Sequence, residues 1–294
     1  MNNTVVLVAG GDLRQFYAAK KLSEKFRVYI LGFENISRNT CNAELLSDIS
    51  LMPEKADCLL LPLPVSDDGV NLSAPFCIKK IQILSLKPFL KKNAVVTGGR
   101  MTAETDNIFS DTAVTADYSK REEFCVLNAV PTAEAAVEIA IQKSESTLFK
   151  SKILITGFGR ISRALVKILS GFGADITVAA RKKSDLCWAE IYGCNAVDIK
   201  EIRDTAMKYD FVFNTVPSMV IDEDFLKNVK HSVYIIDLAS KPGGVDFSYA
   251  DMHGIHTVHA LSLPGKFFPV TAGGIIAQTA ENILLERGSV YDRT

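Results

Sequence analysis

A glycine turn between an apolar run and an amphipathic stretch constrains the fold of this chain more than any other feature. The run Ile153-Leu154-Ile155-Thr156 is typical of a buried strand, and Gly157-Phe158-Gly159-Arg160-Ile161-Ser162 follows it directly. Apolar side chains then recur at helical spacing. In a G-x-G-x-x-G turn the first glycine permits the bend, the second lets a diphosphate reach the backbone, and the third allows close helix packing. Ser162 replaces the third glycine and is small enough to keep most of that packing.

This strand, turn and helix predict a dinucleotide-binding unit of a doubly wound sheet. Main-chain amides at the start of the helix are expected to hold the diphosphate, assisted by the positive end of the helix dipole. The residues assigned to this contact are Gly157, Gly159, Arg160 and Ile161. The alternative is a glycine turn that binds nothing.

Basic residues stand where the second strand of this unit is expected to end. An NAD-binding protein usually places an acid there, on the ribose 2′-hydroxyl, whereas this chain has Arg181-Lys182-Lys183. Because arginine can fork onto a 2′-phosphate and a nearby lysine adds charge, Arg181 and Lys182 predict NADP. A solvated basic loop is the alternative.

Two more polar turns follow predicted strands in the second half. In Asn214-Thr215-Val216-Pro217 the residues Asn214, Thr215 and Pro217 are expected near the nicotinamide, because cofactors lie at the carboxyl ends of strands in open sheets. A turn that only ends a strand fits the same residues. In the segment 237–244, Lys241 is a candidate for contacting a substrate carboxylate or carrying a proton, against the alternative of a solvated lysine.

In the first half, short β-rich runs are separated by segments that are long enough to form crossover helices. Two of these runs end in a glycine turn with an arginine, Gly10-Gly11-Asp12-Leu13-Arg14 and Thr97-Gly98-Gly99-Arg100. Both turns suit a small anionic ligand.

Together the two halves predict an α/β protein with two Rossmann-like domains whose parallel sheets flank a cleft. Residues 1–130 are expected to form a flavodoxin-like or Rossmann-like substrate domain, and residues 131–271 an NADP-binding Rossmann domain. The C-terminal helix, 272–294, is expected to pack back on the first domain. Thr132, which follows Pro131, is the predicted N-cap of an interdomain helix.

Charge and composition exclude several classes of protein. The formal net charge of −1 provides neither a basic surface for nucleic acid nor a polybasic tract for an anionic membrane. The longest uncharged apolar run, Cys58 to Val65, is too short to span a bilayer, and the first residues do not resemble a signal peptide. We expect a cytoplasmic protein whose cysteines are free thiols.

Histidines at positions 253, 256 and 259 recur at a spacing that would suit a metal site on a helix. The segment is predicted to be a strand, where His256 and His259 point to opposite faces, so no metal site is expected. His259 remains a candidate for acid–base chemistry, against a packed or solvated histidine.

The order of motifs along the whole chain resembles the family of dipicolinate synthase A subunits. The motifs are Gly-Gly-Asp-x-Arg-Gln at 10–15, Leu-Pro-Leu-Pro at 61–64, Gly-Phe-Gly-Arg at 157–160, Ala-Ala-Arg at 179–181, Asp-Leu-Ala-Ser-Lys-Pro-Gly-Gly-Val-Asp at 237–246, Leu-Pro-Gly-Lys at 263–266 and Thr-Ala-Gly at 271–273. The long block at 237–246 is far more specific than a glycine turn. The two-domain plan is similar to that of D-2-hydroxyacid dehydrogenases, and the loop at Pro264 and Gly265 resembles a substrate-side loop of methylenetetrahydrofolate dehydrogenases.

The resemblance implies an oxidoreductase that converts dihydrodipicolinate to dipicolinate with NADP and the dipicolinate synthase B subunit, in the mother cell of a sporulating bacterium. The substrate carries two carboxylates, which require cations, and Arg14, Arg100 and Lys266 are assigned to bind it. Ser240, Lys241 and His259 are assigned to the catalytic group. The sequence leaves open whether a second copy of the chain is also a partner.

Two other functions fit the same residues. One is another dicarboxylate or amino-acid dehydrogenase with the same two-domain plan. The other is a dinucleotide-binding regulatory subunit that carries out no chemistry of its own.

Overall fold

A computed structural model describes residues 4–37, 39 and 42–291 of the chain, and side chains as far as residue 287. The chain forms two compact units, Met1–Asn128 with Phe268–Thr294, and Ala129–Phe267. In the described residues, each unit is built on a six-stranded sheet whose strands all run parallel. The predicted α/β class with Rossmann-like parallel sheets is confirmed.

The first unit has its strands in the order β3-β2-β1-β4-β5-β6. The strands are β1 Val5–Ala9, β2 Arg27–Leu31, β3 Glu44–Leu46, β4 Ala56–Leu60, β5 Leu90–Gly98 and β6 Ala113–Asp117. The helices are α1 Leu13–Leu22 and α2 Ala103–Phe109, with 3-10 turns at Ile49–Leu51, Ile83–Phe89 and Tyr118–Lys120. All five residues of β1 are buried, as expected for a central parallel strand covered on both faces.

The long helix α3, Glu122–Lys143, begins well before the position that the sequence predicts. Thr132 is therefore not its N-cap, and Pro131 lies inside the helix. Proline keeps a helical φ but has no N–H, so the helix lacks one backbone hydrogen bond at this position.

Among the described helices, α3 is also the one that is long and apolar enough to cross a membrane by length and composition. Ala133, Ala135 and Ala136 on this helix are fully buried. These alanines allow close packing against neighbouring elements, so α3 is a core helix of the α/β fold.

The second unit has its strands in the order β12-β11-β10-β7-β8-β9. The strands are β7 Lys152–Thr156, β8 Asp175–Ala180, β9 Asn195–Asp198, β10 Phe211–Asn214, β11 Tyr234–Asp237 and β12 His256–His259. The helices are α4 Arg160–Gly171, α5 Lys183–Ile191, α6 Glu223–Leu226, α7 Phe247–Met252 and α8 Leu263–Phe267, with a 3-10 stretch at Ile199–Lys208. The strand order reverses between β7 and β10, and ligands bind outside the carboxyl ends of strands at such a switch point.

The last helix, α9 Pro269–Tyr291, belongs to the first unit. Ile276, Ala280 and Ile283, which the sequence places on one face, are buried in the core that α1 also lines. At Gly273 a Cβ would lie 2.6 Å from the carbonyl oxygen of Arg14. The glycine therefore allows α9 to approach α1 closely.

The described cysteines are free thiols, at positions 58, 77, 125, 187 and 194. Cys41 lies outside the described residues. Complete burial raises the pKa of the Cys58 thiol to about 12, which keeps it protonated and unreactive.

Candidate functional site

The turn after β7 can be formed only by glycine at its first position. Gly157 has φ +83°, and its N–H donates to the carbonyl oxygen of Ala179 at 2.7 Å. A Cβ on Gly157 would lie 2.8 Å from Thr215 Oγ1. Both the backbone conformation and the close approach of the Thr215 turn therefore exclude a side chain.

Gly159 leaves the start of α4 open. It is the N-cap residue, with φ −83°, and a Cβ there would have no neighbouring atom within 4 Å. Since glycine has no side chain to cap the helix, the N-cap residue makes no side-chain hydrogen bond to the first N–H groups of α4. Arg160, exposed, and Ile161, half-buried, follow it. Such a helix start favours an anion.

Ser162 stands where the G-x-G-x-x-G pattern has its third glycine, and its hydroxyl group makes a hydrogen bond there. Its side chain is fully buried, and its Oγ lies 2.9 Å from Thr215 Oγ1. Thr215 Oγ1 in turn donates to the carbonyl oxygen of Thr156 at 2.8 Å. The helix is thus hydrogen-bonded to the end of β10 while remaining close to the sheet.

Three buried polar side chains form a network at the ends of neighbouring strands. Thr156, Asn214 and Asp237 are the last residues of β7, β10 and β11, and none of them is exposed. Thr156 Oγ1 donates to Asn214 Oδ1, and Asn214 Nδ2 donates to Asp237 Oδ1 at 2.7 Å. This network fixes the edge of the sheet at the switch point.

Asp237 also holds the loop that follows β11. Its Oδ1 accepts from the N–H of Ala239 at 3.0 Å, and its Oδ2 accepts from the N–H of Gly244 at 2.8 Å. Gly243 has φ +94°, and a Cβ there would lie 2.6 Å from Asp237 Oδ2. The loop contains a cis peptide bond before Pro242. The buried carboxylate therefore determines the path of residues 239–244.

This loop presents Ser240 and Lys241 to solvent, since both side chains are exposed. Lys241 forms no ion pair with any residue that the structure describes. His259, at the end of β12, is half-buried and its Nε2 lies 3.0 Å from the carbonyl oxygen of Ala239. Its ring stacks on Phe247 with centroids 5.2 Å apart. The same loop thus positions all three residues assigned to the catalytic group.

The basic residues predicted to bind a 2′-phosphate lie directly after β8 and are exposed. Lys183 Nζ is 3.6 Å from Asp198 Oδ2, whereas Arg181 and Lys182 have no acidic partner within the described part of the chain. Pro217 is exposed on the turn that follows β10. Two positive charges therefore remain available at the end of the second strand.

In the first unit, Arg14 is already paired. Its Nε and Nη2 donate to the carboxylate of Asp12 at 2.9–3.1 Å, and Nη2 also donates to the carbonyl oxygen of Leu63 at 2.8 Å. Arg100 has an exposed side chain and φ +56°, and its N–H donates to Asp117 Oδ1 and to Ser119 Oγ. The assignment of both arginines to a substrate stays a prediction.

Lys266 is exposed in α8 of the second unit, and its assignment to substrate also stays a prediction. The described residues contain no group of three His, Cys, Asp or Glu side chains that would hold a metal ion. Sequence reasoning missed Thr156 and the role of Asp237. The signal was present, since a polar residue closes each of three buried apolar runs.

Two family models match the chain. Residues 5–116 match the N-terminal domain of the dipicolinate synthase A subunit, and residues 133–242 match the NAD binding domain of D-isomer specific 2-hydroxyacid dehydrogenases. The second match covers the Gly157 turn and Asp237, so the site lies in an NAD(P)-binding dehydrogenase domain.

Three comparisons extend over nearly the whole chain. The dipicolinate synthase A subunit of Bacillus subtilis is 28% identical over 287 residues, which cover 96% of each sequence. The crystal structure of the dipicolinate synthase A chain from B. subtilis has a TM-score of 0.87 and 27% identity, covering 98% of both chains. The crystal structure of the A subunit from Bacillus halodurans has a TM-score of 0.85 and 26% identity, covering 96% of this chain and 97% of that one.

Proposed function

Since the chain belongs to the family of dipicolinate synthase A subunits, we propose that it oxidises dihydrodipicolinate to dipicolinate with NADP, together with the dipicolinate synthase B subunit. The observation that carries this proposal is the open start of α4 at Gly159, together with the exposed charges of Arg181 and Lys182 at the end of the neighbouring strand β8. An open helix start next to basic side chains suits a phosphorylated dinucleotide.

The residues present fit this cofactor. Gly157, Gly159, Arg160 and Ile161 hold the diphosphate, because a side chain at Gly159 would fill the open space that the phosphates need. When bound, the nicotinamide accepts a hydride. Asn214, Thr215 and Pro217 line the nicotinamide side, where the buried amide of Asn214 keeps the turn fixed.

NADP is favoured over NAD by the charge at the end of β8. A carboxylate at this position would accept bonds from a ribose diol, whereas a guanidinium attracts a phosphate and can bond it bidentately. Arg181 binds the 2′-phosphate and Lys182 adds a second positive charge. Lys183 contributes less, because it already faces Asp198.

The substrate carries two carboxylates, which bind to exposed cations. Lys241 and Lys266, whose side chains are exposed, are assigned to this role, and Arg14 and Arg100 are further candidates for it. Arg14 retains the N–H groups of Nη1 for a ligand while its other donors bond Asp12 and Leu63. Ser240 donates its hydroxyl hydrogen to the substrate.

Oxidation of the ring releases a proton as well as a hydride, and His259 is the base that accepts it. Its Nε2 donates to the carbonyl oxygen of Ala239, so Nδ1 is the nitrogen with a free lone pair in the neutral ring. Stacking on Phe247 limits rotation of the imidazole. Binding in a fixed orientation supplies the rest of the catalysis, since the cofactor carries out the redox chemistry.

We further propose that the protein acts in the cytoplasm of the mother cell of a sporulating bacterium. Its partner there is the dipicolinate synthase B subunit, and self-association is a further property to measure. The second candidate function is a dinucleotide-binding regulatory subunit. The exposure of Ser240 and Lys241 favours this second function, because both side chains are accessible to a partner protein.

The test is NADPH formation from freshly generated dihydrodipicolinate, measured by absorbance for each of the two proteins separately and for the reconstituted pair. The proposal expects turnover that requires the present chain. Lys241→Ala is then compared with the exposed control Lys208→Ala. Loss of turnover for Lys241→Ala with unchanged NADP affinity supports an enzyme, whereas unchanged turnover supports the regulatory function. Inactivity of the reconstituted pair contradicts the synthase assignment.

A further inference from the structure

The first sheet has the same strand order as the second, with β1 and β4 at its centre. It also has the same turn, because Gly10 follows β1 with φ +68° and donates its N–H to the carbonyl oxygen of Leu31 at 2.8 Å. Sheets with this order bind ligands outside the carboxyl ends of their strands. The first unit is thus built like a nucleotide-binding domain.

The glycine turn of this unit is closed to a diphosphate. Asp12 caps α1, with its Oδ1 accepting from the N–H of Arg14 at 2.9 Å, and Gln15 Oε1 accepts from the N–H of Asp12. The Gln15 side chain covers Gly11 so closely that a Cβ there would lie 2.6 Å from it. Since a carboxylate and an amide occupy the helix start, an anionic diphosphate has no place there.

A pocket of about 560 Å³ opens beside the end of β2. This volume falls within the range of about 300–1,000 Å³ that is usual for small-molecule sites. Its walls combine isoleucines at positions 49, 78 and 81 with polar side chains that include Glu34 and Gln82. An apolar wall with a few polar groups suits a ligand that has a flat aromatic ring and a separate hydroxylated part.

Glu34 lies in this pocket shortly after β2, where dinucleotide-binding sheets place the acid that bonds a ribose. Its Oε2 is buried and has no hydrogen-bond partner among the described residues. The Cys77 thiol lies within hydrogen-bonding reach of the Glu34 carboxylate, but its single proton is directed to the carbonyl oxygen of Lys79, 2.7 Å from Sγ. Oε2 of Glu34 is therefore left without a donor among the described residues, and a ligand hydroxyl can supply one.

We propose that this pocket binds a purine ribonucleoside, with the ribose hydroxyls donating to the carboxylate of Glu34 and the base packing against the isoleucine side chains. The ligand is a nucleoside rather than a dinucleotide because the adjoining turn accepts no diphosphate. The site is separate from the one at Gly159, and it does not depend on the proposed redox function.

The test uses isothermal titration calorimetry of the full chain with adenosine, guanosine and 2′-deoxyadenosine. We expect one of the ribonucleosides to bind and 2′-deoxyadenosine to bind about tenfold more weakly, because a hydrogen bond to a charged group is lost. Glu34→Gln should lower the affinity for the ribonucleoside by a similar factor. The matched control Glu44→Gln, at an exposed position of β3 outside the pocket, should leave the affinity unchanged. Circular dichroism confirms that both variants fold.

Alkylation of cysteines locates the ligand. Cys77 lines the pocket, whereas Cys187 is exposed in α5 of the second unit. Saturating ribonucleoside should slow the labelling of Cys77 by iodoacetamide, measured by mass spectrometry, and leave Cys187 unaffected. Absence of binding at millimolar concentration, equal affinity for the Glu34→Gln variant, or protection of Cys187 alone overturns the proposal.

Discussion

Ser162 Oγ lies 2.9 Å from Thr215 Oγ1, which hydrogen-bonds the first turn of α4 to the turn after β10. Because Thr215 Oγ1 also bonds the carbonyl oxygen of Thr156, one hydroxyl pair joins the helix to two strands. A serine at the third position of the glycine pattern thus adds a bond that glycine does not provide.

Removing this hydroxyl group should cost stability without loss of the cofactor. We expect Ser162→Ala to lower the free energy of unfolding by about 1 kcal/mol, the usual value for one hydrogen bond. Ser162→Val should cost about 1–3 kcal/mol, since Ser162 is fully buried and extra methyl groups overpack the contact. Urea unfolding followed by fluorescence measures both. An unchanged midpoint for Ser162→Ala would show that the contact adds nothing.

The two glycines of the turn should respond differently to the same substitution. Gly159→Ala should fold like the wild type, because its φ is negative and no atom lies within 4 Å of the new Cβ. The same variant should bind NADP about tenfold or more weakly, because the new methyl group crowds the diphosphate. Gly157→Ala should instead lower the melting temperature, because its φ is +83° and its Cβ meets Thr215 Oγ1.

For both variants, calorimetric titration measures the affinity for NADP and a thermal melt measures the melting temperature. Wild-type affinity in a folded Gly159→Ala variant would show that the dinucleotide does not approach the start of α4.

The central strands of both sheets and the edge strand β12 could be predicted from sequence, whereas the edge strands β3 and β9 could not. Val5–Ala9 and Phe211–Asn214 are buried apolar runs that end in polar or glycine turns. In contrast, Glu44–Leu46 and Asn195–Asp198 are short and mostly exposed or half-buried, and only pairing with β2 and β8 makes them strands. A strand this short and this little buried shows no clear hydrophobic pattern, because strand preference depends on packing and burial.

The candidate site shows a similar division. The glycine turn at Gly157 has a local signature because its φ demands glycine. The bond between Asn214 and Asp237 joins residues that are far apart in sequence, and no local pattern encodes it. The early start of α3 was missed for another reason, since proline at position 131 normally marks the beginning of a helix and here lies within one.

Exchange of charge at Arg181 should alter the choice of cofactor. Arg181→Asp should lower the affinity for NADP about tenfold or more, because a carboxylate repels the 2′-phosphate. The affinity for NAD should stay nearly unchanged, because a carboxylate can accept a hydrogen bond from the ribose hydroxyl. Lys167→Asp, an exposed charge exchange in α4, is the matched control. Calorimetry with both dinucleotides measures the ratio. An equal loss of affinity for NADP and for NAD would refute the role of Arg181 in binding the 2′-phosphate.

Asp237→Asn should disturb the loop that carries Ser240 and Lys241. The carboxylate accepts three bonds, from Asn214 Nδ2 and from the N–H groups of Ala239 and Gly244. An amide has only one acceptor oxygen, so at least one buried donor loses its partner at a cost of about 1–3 kcal/mol. We expect a lower unfolding midpoint and reduced turnover in the reconstituted pair. The control is Asp251→Asn at an exposed position of α7; equal behaviour of the two variants would show that the network is dispensable.

Asp210 should make stability depend on pH. Burial alone would raise the pKa of its carboxyl group, but hydrogen bonds from Lys230 Nζ at 2.6 Å and from the N–H of Lys152 at 2.8 Å outweigh burial and lower it. A lowered folded-state pKa stabilises the protein above the unfolded value of about 3.9. This stability is lost as the pH falls through the folded-state pKa.

Asp210→Asn should therefore lower the free energy of unfolding at pH 7 by about 1 kcal/mol or less, because the carboxylate is about one-third exposed and solvent screens the pair. The difference from the wild type should be full at pH 7 and 5 and shrink below about pH 4, since the unfolded state then takes up a proton more readily than the folded state. Urea unfolding at pH 7, 5, 4 and 3 measures this difference, with the exposed Asp204→Asn as control. A difference that stays constant over this range would show that the charge of Asp210 does not stabilise the fold, because an uncharged hydrogen bond to Lys152 would be insensitive to the protonation of the carboxylate.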